Sequence, residues 1–205
     1  MNKLLLVLLI LCVWLSVNSC GKKDSASTAT STESVIIFPY STDTQYAYNA
    51  HKVAYGCSGT NSSGYTLAPF FSTSTHDLKD RLPSSKWSNP VYSVQGHKIS
   101  SSWENLWDGN INMSLHEAEV VYDNSSNASY MRGFWSATKS NGTFSGNNCT
   151  GWSSESSSDN ATRGSFQFKH NSSWIDNDTQ ACNDRGDTYF LCFKYNWSLY
   201  KLITT

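Results

Sequence analysis

The second half of the chain places cysteines and large aromatic residues in a stretch otherwise rich in Ser, Asn, Thr and Gly. Trp135, Cys149 and Trp152 precede the polar residues 153–173, and Cys182 follows them. Such polar sequence cannot bury enough apolar surface to fold by itself. A disulfide from Cys149 to a later cysteine would close a long loop and stabilise the fold by about 3 to 4 kcal/mol. The sequence therefore predicts a loop-rich region that is held together by disulfides.

The N-terminal residues have the pattern of an exported bacterial lipoprotein. Lys3 precedes an apolar run of 14 residues, 4–17. This run is shorter than the roughly 20 residues that cross a bilayer, and it is typical of a signal peptide. Ser19 and Cys20 follow, as in a bacterial lipobox whose cysteine becomes lipidated. The alternative is ordinary cleavage nearby, which would leave Cys20 as an odd thiol.

Composition divides the chain into three predicted parts. Residues 1–19 are the signal peptide, and residues 20–34 are the lipidated Cys20 and a flexible tether without bulky residues or apolar periodicity. Residues 35–205 are long enough for one folded domain. Outside the predicted leader the four cysteines of this domain form an even set, which predicts two disulfides in an exported protein. Spacing alone leaves three connectivities open for Cys57, Cys149, Cys182 and Cys192.

The charge pattern and the scattered histidines argue against several functional classes. Without Lys3 the chain has 14 Lys and Arg against 16 Asp and Glu, a net charge of −2, so nucleic acid is not the expected partner. His116 and Glu117 lack the second histidine of a zinc-protease helix, because Val120 stands four residues after His116. The sequence contains neither a P-loop nor a Gly-x-Ser-x-Gly elbow. We therefore predict no enzymatic activity, no cofactor and no metal.

Short apolar runs with β-branched and aromatic residues predict strands, and a few segments have helical spacing. The predicted strands cover residues 35–38, 64–71, 91–94, 98–99, 118–122, 131–135 and 189–195, and residues 197–203 are expected to form a closing strand or a tail. The predicted helices cover residues 46–55, 76–82 and 102–107. In the last of these, Trp103, Leu106 and Trp107 share one face and are expected to point into the core. Mixed short elements, many loops and two disulfides predict an α+β domain.

Several motifs follow one another along the chain: residues 90–99 (Pro-Val-Tyr-Ser-Val-Gln-Gly-His-Lys-Ile), 102–109 (Ser-Trp-Glu-Asn-Leu-Trp-Asp-Gly), 118–123 (Ala-Glu-Val-Val-Tyr-Asp), 134–136 (Phe-Trp-Ser), 145–152 (Ser-Gly-Asn-Asn-Cys-Thr-Gly-Trp), 181–182 (Ala-Cys) and 189–192 (Tyr-Phe-Leu-Cys). In this order they resemble endostatin, the terminal domain of collagens XV and XVIII. The resemblance covers most of the chain after about residue 46. Together with the lipobox, the resemblance points to one group within this family, the leptospiral endostatin-like lipoproteins. It implies a C-type lectin-like fold and the nested bridges Cys57–Cys192 and Cys149–Cys182, although Cys57 lies about one helical turn later than in endostatin.

The same resemblance implies a lipid-anchored outer-membrane protein that is exposed at the surface and binds host proteins. The implied partners are laminin, fibronectin and complement factor H, with plasminogen as a further ligand. Binding to these proteins would serve adhesion and immune evasion. Endostatin's heparin binding depends on clustered arginines. The sequence has only Arg81, Arg132, Arg163 and Arg185, so that activity is not expected here.

Two other features suggest binding sites. Arg185, Gly186 and Asp187 lie between Cys182 and Cys192 and form an integrin-type motif, which such a loop would present outward. The segment 174–178 (Trp-Ile-Asp-Asn-Asp) offers oxygens that suggest a calcium-dependent carbohydrate module as an alternative function. A structural role in the cell envelope is a second alternative. Tyr130 and Trp174 are candidate exposed aromatic anchors, because aromatic residues often dominate interfaces.

Overall fold

The computed structural model describes residues 33–40, 46–121, 133–184 and 188–196. These residues belong to one unit that begins at Glu33. The predicted signal peptide and Cys20 lie outside the described residues, as do Tyr130, the motif Arg185 to Asp187 and the predicted strand over residues 197–203.

Six short strands form the larger sheet, in the order β2-β3-β10-β1-β4-β5. Strand β1 pairs antiparallel with β10 and parallel with β4, and β10 also pairs antiparallel with β3. The strands predicted over residues 91–94 and 98–99 are present as β4 and β5, which pair antiparallel. The strands are β1 (Val35–Pro39), β2 (Gly59–Thr60), β3 (Tyr65–Pro69), β4 (Val91–Ser93), β5 (Lys98–Ser100) and β10 (Leu191–Asn196).

A smaller sheet of four strands has the order β8-β7-β6-β9. Its strands are β6 (Gly133–Trp135), β7 (Asn160–Gly164), β8 (Asp178–Ala181) and β9 (Thr188–Tyr189). Strand β7 pairs antiparallel with β6 and β8, whereas β9 runs parallel to β6. Gly164 lies opposite Phe134, and a Cβ atom there would overlap both the Phe134 ring and the Trp174 carbonyl oxygen.

The helices are short. The helix predicted over residues 46–55 is confirmed as a 3₁₀ turn, Ala47–Asn49, followed by α1 (Ala50–Gly56). The predicted helix over residues 76–82 is reduced to the 3₁₀ turn Lys79–Arg81. The helix predicted over residues 102–107 is the 3₁₀ segment Glu104–Asp108, and the backbone NH of Asn105 donates to the Ser102 hydroxyl at 3.1 Å.

The strand predicted over residues 118–122 is wrong within the described residues, because residues 115–119 form turns. The backbone NH groups of Ala118 and Val120 donate to the carbonyls of Ser114 and Leu115. Ser114 and Glu117 also exchange hydrogen bonds between side chain and backbone in both directions. These local bonds satisfy the backbone without a strand partner.

Two hydrophobic cores lie on the two sides of extended segments. One, the sheet core, contains Phe70, Phe134 and Phe193. The other, the cysteine core, contains their sequence neighbours Phe71, Trp135 and Cys192 together with the remaining cystine residues. Successive side chains of extended backbone point to opposite faces, so each neighbouring pair serves both cores.

Both disulfides lie in the cysteine core. Cys57 is bonded to Cys192 and Cys149 to Cys182, with Cα–Cα distances of 5.8 and 5.6 Å. All four cysteines are at most 1% exposed. This is the nested pairing implied by the resemblance. The prediction of a mixed α+β domain with two disulfides is therefore confirmed, and strands outnumber helices in the described residues.

Candidate functional site

Helix α1, together with the 3₁₀ turn before it and its C-cap Cys57, has a buried face and an outward face. The inward residues Ala47, Ala50, Val53 and Cys57 are at most 1% exposed and pack in the cysteine core. The residues Tyr48, His51, Lys52 and Tyr55 have the spacing i, i+3, i+4 and i+7, so they follow one another along the other face. The Cys57–Cys192 disulfide joins the C-terminal end of α1 to β10. The outward face of the helix is therefore held in place relative to the larger sheet.

Four tyrosines gather on and beside this outward face, and we call them the tyrosine surface: Tyr40, Tyr46, Tyr48 and Tyr55. Tyr55 is 87% exposed and Tyr40 is 37% exposed. The rings of Tyr46 and Tyr48 stack with their centroids 5.2 Å apart. Tyr40 leans on Gly56, where any Cβ atom would overlap its ring. Tyr46 and Tyr48 are half-buried. The surface therefore combines two exposed and two partly exposed tyrosines, a concentration of large aromatic side chains that indicates a binding surface.

The chemistry of the tyrosine surface suits a protein partner. Tyrosine offers a large contact area and a hydroxyl while only two side-chain torsions are immobilised on binding. Residues 46–75 contain no Asp or Glu, and His51 and Lys52 are their only basic side chains. The sequence predicted a helix over residues 46–55, in which Tyr48 and Tyr55 stand seven residues apart and therefore on one face. What the sequence did not show is that Cys57 buries the opposite face and that Tyr40 joins the set.

A polar cleft lies at the end of the β7–β8 hairpin where Asn160 pairs with Ala181. Its volume is about 330 Å³. The lining consists of short polar residues and one glycine: Gly146, Asn147, Asn148, Thr150, Ser158, Asp159 and Asn160. We call it the amide cleft. No local sequence pattern indicates this cleft, because its two walls are separate in the sequence and only the folded chain brings them together.

One wall of the amide cleft is a left-handed turn. Cys149, Thr150, Gly151 and Trp152 have consecutive positive φ values of 52°, 53°, 73° and 66°. Left-handed backbone costs about 1 to 2 kcal/mol for each residue other than glycine, so the surrounding structure must impose it. The Cys149–Cys182 disulfide and the burial of Trp152, whose indole NH donates to the Ser72 carbonyl at 3.1 Å, hold the turn. Strain of this kind is concentrated at binding and catalytic sites.

The structure moves Trp174 away from the role that the sequence suggested. Trp174 is 0% exposed and lies in the sheet core, so its proposed use as an exposed anchor is wrong. In the same segment, both oxygens of Asp178 accept hydrogen bonds from Arg163 at 2.9 and 2.7 Å. Burial raises the pKa of Asp176, and the positive charge of Lys139 partly opposes this rise. Trp174 and Asp178 therefore have structural roles in this segment.

The remaining predicted site residues do not come together. The four cysteines form disulfides, and Arg185, Gly186 and Asp187 lie outside the described residues. Glu117 accepts hydrogen bonds from the Ser114 backbone and from Lys169, which lower its pKa. Within residues 33–40, 46–121, 133–184 and 188–196, no three His, Cys, Asp or Glu side chains are grouped as metal ligands would be. In the same described ranges, no helix has the length and apolar character needed to cross a membrane.

Comparison with known proteins gave no relative: no protein-family model matches the chain, and no curated protein matches it.

Proposed function

We propose that this chain is a lipid-anchored surface protein whose endostatin-like domain, of C-type lectin-like type, binds host proteins through the tyrosine surface. The partners proposed are laminin, fibronectin and complement factor H, with plasminogen as a further one. The observation that carries the proposal is a group of four tyrosines, two of them exposed, on and beside a helix that a disulfide fixes to the sheet. Binding, and not catalysis, is the proposed activity.

The family assignment within this proposal is supported by the order of the motifs along the chain and by two bridges with nested connectivity. The lipid anchor is supported by the apolar leader that ends at Cys20. The polar tether after Cys20 would let the domain stand away from the membrane surface. An integrin is a further proposed partner through Arg185, Gly186 and Asp187.

Immobilised laminin, fibronectin and factor H test the main proposal by surface plasmon resonance with the oxidised full chain. We expect saturable binding to at least one of them, unchanged by a calcium chelator. Tyr55→Ala should weaken it by at least about tenfold, as truncation of an interface anchor does. Phe168→Ala is the matched control, because Phe168 is a 49% exposed aromatic on a different segment.

Absence of saturable binding to all three proteins would refute the proposal. So would a loss with Phe168→Ala as large as the loss with Tyr55→Ala, because the tyrosine surface would then have no special part. The integrin partner has its own test. Asp187→Ala should abolish adhesion of integrin-bearing cells while laminin, fibronectin and factor H binding stays within about twofold.

A further inference from the structure

We propose that the amide cleft is a second binding site, which takes a single neutral polyhydroxylated ring such as one exposed sugar residue of a glycan, without a metal ion. Its lining shares no residue with the tyrosine surface or with the segment 174–178. The register of the β7–β8 hairpin places Asn160 opposite Ala181 at one end and Arg163 opposite Asp178 at the other. The proposal does not depend on the function of the tyrosine surface.

The lining chemistry selects the class of ligand. Asn147 and Asn160 each offer an amide donor and an amide acceptor, and Thr150 and Ser158 add hydroxyl groups. Asp159 is the only charged residue in the lining, so an anionic ligand finds no cation there. A single carboxylate is also too few for a calcium site, which surrounds the ion with six to eight oxygens. Neutral hydroxyl groups, which both donate and accept, match this set.

Asn148 supplies an unused donor at this site. It is the most buried of the polar lining residues, with 7% of its surface exposed. Its Oδ1 atom accepts a hydrogen bond from the Gly151 backbone at 3.0 Å, whereas its Nδ2 atom is buried and has no hydrogen-bond partner. Buried polar groups are nearly always paired. Asn148 lines the cleft, so a rotation of its side chain that brings Nδ2 to the surface would let a ligand hydroxyl supply the missing acceptor.

The walls of the cleft are held in place before any ligand arrives. Thr150 donates through its hydroxyl to the Asp159 carboxylate at 3.1 Å, which joins one wall to the other. The backbone NH of Cys182 donates to the Asp159 carbonyl at 2.9 Å, and Cys182 is itself bonded to Cys149. A site that is already ordered loses little conformational entropy on binding. The same bonds explain why the chain maintains a left-handed turn here.

The size of the cleft limits the ligand. Ligand pockets commonly range from about 300 to 1,000 Å³, so a volume of about 330 Å³ suits one ring and not an extended oligosaccharide. The lining lacks an aromatic platform. We therefore expect weak binding of a free monosaccharide and stronger binding where many copies of the sugar are displayed on one surface.

Saturation-transfer NMR with the oxidised full chain, in a detergent that contains no sugar, tests this site. The probes are the methyl glycosides of glucose, galactose, mannose, fucose and N-acetylglucosamine. We expect saturable transfer to at least one of them with chelator present. Asn160→Ala and Asp159→Asn should each weaken that binding by at least about tenfold. Asn112→Ala is the matched control, an exposed asparagine outside the cleft.

Three outcomes would overturn the proposal: no transfer to any of the five glycosides, transfer that requires calcium, or equal binding by both cleft variants and the control. Asn160 and Asp159 carry partly or fully exposed side chains, and native far-ultraviolet circular dichroism of each variant ensures that a loss reports on the cleft. Tyr55→Ala separates the two sites. It should leave glycoside binding unchanged, because Tyr55 lies on α1 and not in the cleft lining.

Discussion

Arg163 is a charged residue in the middle of the smaller sheet, and its partners explain why the structure tolerates it. Its side chain is 9% exposed, whereas that of Asp178 is 41% exposed. The two side chains form a bidentate pair, and the guanidinium also reaches the Thr188 hydroxyl at 3.5 Å. A buried guanidinium needs such partners because its desolvation is otherwise uncompensated. The pair thereby links β7 and β8 through side chains as well as backbone.

Asp178→Asn should destabilise the protein, because it leaves the buried Arg163 charge without a counter-ion. We expect a loss of about 2 kcal/mol, less than for a fully buried pair because water reaches Asp178. Urea unfolding at pH 7 measures the difference. Glu117→Gln is the control, since Glu117 forms an exposed ion pair with Lys169 at 3.2 Å and should cause a much smaller loss. Equal losses in the two variants would contradict the assignment.

Asp176 should make stability depend on pH in a defined direction. Burial raises its pKa above the ordinary value of 3.8, so the folded state binds a proton more readily than the unfolded state. Its ionisation therefore removes stability as the pH rises from 3.8 through the raised pKa. Asp176→Asn should be more stable than the parent at neutral pH, and this advantage should vanish below pH 3.8. Urea unfolding across this pH range would show it; an advantage that persists in acid would contradict it.

Strand β7 shows which elements the sequence could and could not predict. Strand β1 and helix α1 were predictable because their buried residues are apolar and have the right spacing. The residues of β7 are Asn-Ala-Thr-Arg-Gly, yet four of the five are buried. They are satisfied by distant partners, such as the Ser145 hydroxyl, which accepts from Thr162 at 2.7 Å. Because those partners exist only in the folded chain, no local pattern indicates the strand.

The same reasoning applies to the candidate sites. The spacing of Tyr48 and Tyr55 is readable along the predicted helix 46–55, although nothing in the sequence distinguishes an outward tyrosine from a buried one. The amide cleft was not predictable, because it depends on which cysteine Cys149 joins. Spacing left three connectivities, and each would bring different residues beside Asn148. The position of the cleft therefore depends on formation of the Cys149–Cys182 disulfide during folding.

Gly151 tests the left-handed turn as an element. Its φ is 73°, and a Cβ atom there would meet no heavy atom within 4 Å. Gly151→Ala therefore introduces backbone strain without a steric clash, and we expect it to lower the free energy of unfolding by about 1 kcal/mol. Ser157→Ala, an exposed change in the following loop, should stay within about 0.5 kcal/mol. Denaturant unfolding compares them; a Gly151→Ala protein as stable as the control would show that the turn is not left-handed.

At the scale of the whole molecule, a core built around two cystines supports a chain that is only 39% hydrophobic. Phe71 packs on Trp152 and Phe190 with centroids 5.1 and 5.4 Å apart, and these rings lie in the same cluster as the two disulfides. The cystines therefore act on the unfolded chain through its entropy and on the folded chain as buried apolar groups.

The two disulfides should differ in their effect, because they close loops of different length. Their sequence separations are 135 residues for Cys57–Cys192 and 33 for Cys149–Cys182. Loop entropy predicts losses of about 5 and about 4 kcal/mol when each is removed by paired Cys→Ala changes. Differential scanning calorimetry should give the lower Tm to the variant without Cys57–Cys192. The reverse order would mean that packing around Cys149 and Cys182 outweighs the entropy of the loops.

Neighbouring residues belong to different cores in three segments, those of Phe70–Phe71, Phe134–Trp135 and Cys192–Phe193. The chain therefore cannot gain or lose a residue within these segments. A single insertion or deletion within residues 190–193 would send Phe193 toward the cystines and Cys192 toward the sheet core, since a shift of one residue turns every side chain to the other face. A substitution of similar size disturbs the packing of one core only, whereas an insertion or deletion disturbs the packing of both cores at once. We therefore expect related sequences to vary in length between these segments and never inside them.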